Sequence, residues 1–203
     1  PGDSCSMISS IVLAAGQSSR MNRQPKALLD WGGQPLIRYQ VQQLLDAGVD
    51  EVIVVLGFRS DEIFRQIKDL PCRVMLNPRY WAGRAASLRI GAKAANRDAD
   101  AIVICNVDQP RPADIIRKLI EAHKPEMAAT RPSFNGVHGH PIVVSGKLRE
   151  ELMTADDESE GLRGVLERHR GNIAEVEMDA ICGIDVNTQE DYEKALQAFG
   201  LAH

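Results

Sequence analysis

Two cations stand close behind a short apolar run. In "IVLAAGQSSRM" the residues Leu13, Ala14, Ala15 and Gly16 lead to Arg20, and Lys26 follows six positions later. Small side chains leave backbone N–H groups bare, so an anion can approach them closely. Arginine and lysine add the fixed charge that a polyphosphate requires. "AAG" alone is an ordinary tight turn beside two solvated cations; the whole string with both cations at these offsets is more specific. It contains neither G-x-x-x-x-G-K-[ST] nor G-x-G-x-x-G, so P-loop and dinucleotide fingerprints are absent.

A second group is acidic. Asp108 closes "IVICNVDQP", where an ionised carboxylate at the end of an apolar run needs a strong partner. It could cap the helix expected near Pro112, but Pro112 itself suits that helix's first turn. The other reading is a magnesium ligand, since Mg²⁺ is held by one or two carboxylates plus substrate phosphates. A further oxygen donor is then expected from "GIDVNTQEDY": Asp185 and Asn187 alternate along the end of a strand and share one side of it, with Thr188 capping the last helix.

Gly83 and Ser87 in "WAGRAASLRIG" open a helix, which suits a base edge or phosphate and equally suits a routine cap. His138 and His140 lack a third ligand, which argues against zinc. His140 reads as a pocket-lining or a hydrogen-bonded structural histidine.

The surrounding pattern says how these groups are positioned. "SSIVLAAG", "EVIVVLG", "CRVML" and "DAIVICNVD" read as strands, the second and last apolar throughout, as strands covered on both faces are. Between them come "PLIRYQVQQLLDAG", "SDEIFRQIKDL" with Ser60 as its expected N-cap, and "ASLRIGAKAANR", all helical in pattern. A helix at "PADIIRKLIEAH", strands at "EMAAT" and "HPIVVS", helices at "GKLREELM" and "GLRGVLERH", a strand at "AEVEM" and a last helix complete the order. The alternation predicts an α/β fold, a three-layer αβα arrangement around a mostly parallel sheet. Ligands of such sheets sit beyond the carboxyl ends of the strands, where the groups above lie. The acidic stretch "TADDESEG" reads as a mobile surface loop.

With 203 residues, 44% hydrophobic and 26% charged, one globular domain over residues 7–203 is expected. Residues 1–6 read as a tag remnant or disordered extension. A net charge of −4 disfavours nucleic acid. No apolar run approaches a membrane span, and the start is unlike a signal peptide. The dispersed cysteines fit a reducing compartment, so a cytoplasmic location is expected; Cys105 reads as a buried, inert thiol.

Taken together, "LAAGQSSRM" with Lys26, "NP", "WAG", "SL", "DQP", "GHP", "G-x-R" at Gly161 and Arg163, and "DVNTQEDY" resemble the MobA-like nucleotidyltransferases. Within them the order is most similar to the molybdenum cofactor cytidylyltransferase (MocA-type) branch. The resemblance implies a Rossmann-like nucleotidyltransferase fold with Arg20 and Lys26 as polyphosphate-binding catalytic cations and Asp108 as the metal aspartate. It places Asp185 or Asn187 at the second metal position, and Leu13 to Gly16, Gly83 and Ser87 around the nucleotide. Gln109, His140 and Arg163 would line the acceptor pocket.

The activity implied is Mg²⁺-dependent transfer of CMP from CTP to a phosphorylated molybdopterin with release of pyrophosphate, which needs no strong general base because a phosphate oxygen is already anionic. A transient molybdoenzyme partner goes with that reading. Other readings are a sugar-phosphate or other small phosphate acceptor, and a non-catalytic carrier. The chain departs from the family pattern at Asn22, where glycine is usual, at Arg84-Ala85-Ala86, which replaces a methionine- and serine-containing string, and at Glu158-Ser159.

Overall fold

The computed structural model describes residues 6–17 and 24–202. Arg20, Asn22 and residues 1–5 of the expected extension lie outside the described residues. Eight strands form one sheet: β1 (Ile8–Ala14), β2 (Glu51–Leu56), β3 (Arg73–Leu76), β4 (Ala101–Asn106), β5 (Ala129–Phe134), β6 (Val137–His138), β7 (Ile142–Ser145) and β8 (Ile173–Glu177). The order begins β3-β2-β1-β4, all parallel; β7 joins β4 antiparallel, β5 joins β7, and β8 joins β5 in parallel. Only β6 and β7 therefore run against the other six, and the expected mostly parallel α/β sheet is what forms.

Alternation within the central strands explains the layers. Ile11, Ile53 and Ile104 are lateral neighbours and face one apolar cluster, with Leu88, Leu152 and Val165 above them. Val12, Val54 and Cys105 face the other, with Ile37, Val41, Ile116 and Leu119. The helices that supply these contacts are α1 (Leu36–Asp46) and α4 (Ala113–Ala122) on the second face. On the first lie α3 (Ala85–Ala94), α5 (Arg149–Met153) and α6 (Gly161–Arg168). Each fully buried Ile, Leu or Val contributes about 1.5–3 kcal/mol of transfer free energy. A third, smaller cluster of Leu29, Trp31, Leu36, Val186 and Ala195 docks α7 (Gln189–Ala198).

Two local expectations are corrected. Ser60 does not cap α2 (Ser60–Arg65): it is already the first helical residue, and Arg59, left-handed at φ 52°, is the N-cap, without a side-chain capping bond. Asp185 and Asn187 do not end a strand. β8 stops at Glu177, which is opposite Ser133 near the end of β5, and the chain then leaves the sheet through a 3₁₀ turn, Ala180–Gly183. The segment that follows is extended but bonds to Asp108 O through Val186 N at 2.7 Å instead of joining a ladder. The acidic stretch is an exposed turn at the surface, and two of its acids hold neighbouring backbone. Asp156 accepts from Ser159 N at 2.6 Å, and Asp157 Oδ1 accepts from the N–H groups of Arg84 and Ala85 at 3.1 Å each. Thr188, by contrast, caps α7 as expected, in a reciprocal capping box with Asp191.

The strand opposite β5 is interrupted. Ser133 pairs with His138 but Thr130 pairs with Val143, so two extra residues are accommodated between them. His140 and Pro141 occupy the break, and His140 N donates to Cys182 O at 3.1 Å. A Cβ on Gly139 would stand 2.4 Å from that same carbonyl, so only glycine permits the approach. This interruption carries His140 out of the ladder towards the carboxyl ends of β1 and β4.

Candidate functional site

Two adjoining cavities open at those strand ends. The smaller, about 310 Å³, is lined by Leu13, Ala14, Ala15, Gly16, Lys26, Gly83, Ser87, Asp108, Gln109, Asp185 and Asn187, among others. Every described residue expected at the nucleotide and metal is thus in one place. The larger, about 660 Å³, takes His140 and Arg163. Gln109, expected with the acceptor, lines the smaller cavity and reaches across to His140. Leu13, Arg84 and Asn106 line both.

The loop after β1 is held by its neighbours. Ala15 O accepts from Phe58 N at 3.1 Å, and Gly57 lies so close that a Cβ there would be 2.9 Å from Ala15 O and 2.6 Å from the Tyr80 Cβ. Gly16, in contrast, faces open space among the described residues: a Cβ there would meet none of them within 4 Å. The backbone is therefore fixed on one side and uncovered on the other, the arrangement an anion site built from amides needs.

Lys26 begins a 3₁₀ turn, Lys26–Leu28, and its Nζ lies between the two metal-side segments. It donates to Asn187 Oδ1 at 2.9 Å and stands 3.6 Å from Asp108 Oδ2. Asp108 lies two residues past β4, with its side chain 23% exposed. It does not cap α4, whose Ala113 N donates to Gln43 Oε1 at 2.8 Å. Burial, reinforced by the negative charge of Asp108, holds the Asp185 carboxyl above the ordinary carboxylate range, with Arg111 opposing the shift.

Arg111 is the site residue that sequence reasoning missed. Its side chain is 3% exposed, and it donates to His140 O (2.7 Å), Pro110 O (2.8 Å), Ile184 O (2.7 Å) and Cys182 O (2.8 Å). Its Nη2 is 3.8 Å from Asp185 Oδ1. Burial lowers its pKa to about 10, so it stays cationic at neutral pH. One planar fork thereby ties the His140 break to the segment that carries Asp185. Only the proline on each side, in "DQPRP", hints that this arginine is not a surface residue.

Gln109 Nε2 lies 3.1 Å from His140 Nδ1, while Asn106 Nδ2 donates to Gln109 Oε1 at 3.1 Å. The Gln109 amide orientation that this fixes makes Nδ1 an acceptor and leaves His140 Nε2 with the proton. Burial also pushes the His140 pKa below 6.5, which favours the same neutral ring. Cys105 is buried, and burial pushes its thiol up to about 12, so it is inert.

The oxygen donors facing the smaller cavity are the carboxylates of Asp108 and Asp185 and the amide of Asn187. Among the described residues no cluster of three or more His, Cys, Asp or Glu forms a protein-only metal cage. A hard cation that completes its shell with phosphate oxygens fits such a donor set.

A family model for the MobA-like NTP transferase domain matches residues 10–173. The chain belongs to this family. The chain is similar to a protein named nicotine blue oxidoreductase, from Paenarthrobacter nicotinovorans, at 27% identity over 197 residues, covering 93% of this chain and 96% of that protein. The molybdenum cofactor cytidylyltransferase of Escherichia coli (strain K12) is 26% identical over 197 residues, covering 96% and 98% respectively. The structure of Rv0371c from Mycobacterium tuberculosis H37Rv matches with a TM-score of 0.83 at 26% identity, over 95% of this chain and 98% of that one. The same protein in complex with manganese matches with a TM-score of 0.78 at 25% identity, over 95% and 100%. The MobA-like family and its Rossmann-like nucleotidyltransferase fold are therefore as the sequence motifs implied. No described helix is long and apolar enough to cross a membrane.

Proposed function

We propose that this MobA-like NTP transferase moves CMP from CTP to a phosphorylated, molybdopterin-type acceptor and releases pyrophosphate. The observation that supports this best is the convergence of Lys26, Asp108, Asp185 and Asn187 beside an uncovered loop backbone, with a second cavity next door.

A nucleoside triphosphate carries about four negative charges, so approach of a second anion is opposed electrostatically. Lys26 and the loop N–H groups at Ala15 and Gly16 offset the charge of the polyphosphate. Magnesium, held by Asp108 with Asp185 or Asn187, would add Lewis-acid charge neutralisation on the phosphate oxygens. An acceptor phosphate oxygen attacks the α-phosphorus. The new P–O bond forms as the bond to the β-phosphate oxygen breaks, and pyrophosphate leaves with the electron pair. No proton need be removed from an anionic oxygen, so positioning and charge stabilisation carry the reaction. The size of the second cavity, about 660 Å³, suits an acceptor larger than inorganic phosphate.

The test is pyrophosphate release with each of the four NTPs, MgCl₂ and molybdopterin, then with sugar phosphates in its place. Turnover with CTP and molybdopterin supports the reading; turnover only with a sugar phosphate replaces the acceptor, and none with any pair refutes transfer. Asp108→Asn is expected to reduce turnover at least 100-fold without unfolding the chain, on the scale of losing one transition-state electrostatic contact. Because a full-length relative is named as an oxidoreductase, the same preparation is assayed for oxidation of NADH and NADPH. Cofactor oxidation without pyrophosphate release would replace the transferase reading.

A further inference from the structure

Resting on the nucleotidyltransferase reading above, we propose that Arg84 is the catalytic cation that receives the acceptor's terminal phosphate and holds it against the nucleotide's α-phosphate. Among the described residues three line both cavities: Leu13, Arg84 and Asn106. The two phosphates must meet where the cavities join, and only one of these residues carries charge. Leu13 is apolar, and the Asn106 amide is engaged with Gln109 Oε1 at 3.1 Å.

Arg84 also differs from the other arginines around the larger cavity. Arg163 is 3.7 Å from Glu160, Arg170 is 2.5 Å from Glu167, and Arg131 is 3.2 Å from Glu175. Each is answered by a carboxylate of this chain. The Arg84 side chain is exposed, and among the described residues no group pairs with it. An unanswered guanidinium costs nothing while solvated, and its planar fork is matched to two oxygens of one phosphate.

The obvious rival for that phosphate is the N-terminus of α3, at the same spot. It is already taken: Asp157 Oδ1 accepts from both Arg84 N and Ala85 N. A Cβ at Gly83 would stand 2.0 Å from Asp157 Oδ2, so the glycine makes room for this internal cap. With the Arg84 and Ala85 amides satisfied by the chain's own carboxylate, the side chain of Arg84 is, among the described residues, the unpaired cation at the junction. This also gives a role to Arg84-Ala85-Ala86, the string that departs from the family pattern.

The experiment compares wild type with Arg84→Ala and Arg84→Lys. In steady-state assays with CTP and molybdopterin, Arg84→Ala should lower kcat/KM for the acceptor roughly 100-fold, as loss of a transition-state charge contact does. KM for CTP should stay within about threefold, and Arg84→Lys should recover part of the loss because a point charge replaces the fork. Melting temperature should not move, since the side chain is exposed and unpaired. Unchanged acceptor kinetics in Arg84→Ala would overturn the assignment while leaving the transferase reading intact.

A second arm is independent of turnover. Inorganic phosphate is titrated by calorimetry into the complex of the protein with magnesium and α,β-methylene-CTP. Weakening by about tenfold or more in Arg84→Ala, one charge-assisted contact's worth, supports the role. Equal phosphate binding, or none to either protein, overturns it. Failure of wild type to bind the nucleotide analogue at all would overturn both this assignment and the transferase reading.

Discussion

Replacing Arg111 by methionine keeps the length of the apolar stem and removes the guanidinium. Four carbonyl bonds are lost, to His140, Pro110, Ile184 and Cys182, in a position only 3% exposed. Cys182 O keeps its bond from His140 N at 3.1 Å, and Pro110 O is the immediate chain neighbour. Two long-range acceptors, His140 O and Ile184 O, are then left without a donor. At about 1–3 kcal/mol for each orphaned buried acceptor, with something further for the lost Cys182 bond, the expected loss is about 4 kcal/mol. For a chain of this size it corresponds to a fall in Tm of roughly 8–16 °C. Urea unfolding followed by circular dichroism should show a lower midpoint at unchanged m. Arg111→Lys should regain only part, because an ammonium cannot serve divergent carbonyls as a fork does. A Tm within 3 °C of wild type for Arg111→Met would refute the reasoning, since the carbonyls would then be satisfied without the guanidinium.

Lys26→Met removes the ammonium from Asn187 and Asp108, and should weaken magnesium–CTP binding about 10- to 100-fold, the worth of a charge-assisted contact; calorimetry showing less than a twofold change would refute it. His123 is half-buried, with Nδ1 2.8 Å from Thr130 Oγ1 and an Nε2 that has no partner among the described residues. Burial holds its pKa below the ordinary 6.5. The folded state therefore binds a proton less readily than the unfolded one, and the stabilisation is complete above pH 6.5 and lost as pH falls towards the folded value. His123→Gln should flatten the decline in Tm between pH 7 and 5; parallel curves for the two proteins would contradict this. Gly139→Ala drives a methyl into Cys182 O and should cost about 1–3 kcal/mol in urea unfolding, whereas a neutral result would mean that the break at His140 yields freely.

Sequence pattern carried far where the relevant physics is local. The apolar runs of β2 and β4 betray burial on both faces, and "AAG" with Lys26 downstream betrays a small-residue turn and a cation that line one cavity. Asp108, Asp185 and Asn187 are legible because a polar oxygen immediately after an apolar segment demands a purpose. Arg111 was not legible, because its partners are carbonyls of His140, Cys182 and Ile184, and any residue type supplies a carbonyl. Asp157 was hidden in an acidic run for a similar reason: nothing in "TADDESEG" says which acid turns inward to α3. Ser60 is a good capping residue that does not cap, because the left-handed turn at Arg59 starts the helix one residue earlier than its side chain suggests. The extension of Asp185 and Asn187 was foreseen, but not their departure from the sheet, which depends on where β5 runs out.

The small cluster around Trp31 has a thermodynamic consequence. Trp31 packs edge-on to Phe199 with centroids 5.0 Å apart, the Tyr192 hydroxyl donates to Asp30 O, and Val186 is buried in the same group. Lys26 lies just before this cluster's first residue, Leu29, and Asp185 and Asn187 flank Val186. Candidate site groups from opposite ends of the chain thus ride on one satellite core, separate from the two that sandwich the sheet. Such a unit can open as a cooperative whole without global unfolding. A ligand held by Lys26 and Asn187 would close it by mass action. Amide hydrogen exchange in residues 26–36 and 186–199 should slow together on nucleotide binding, while β2 and β3 exchange as before.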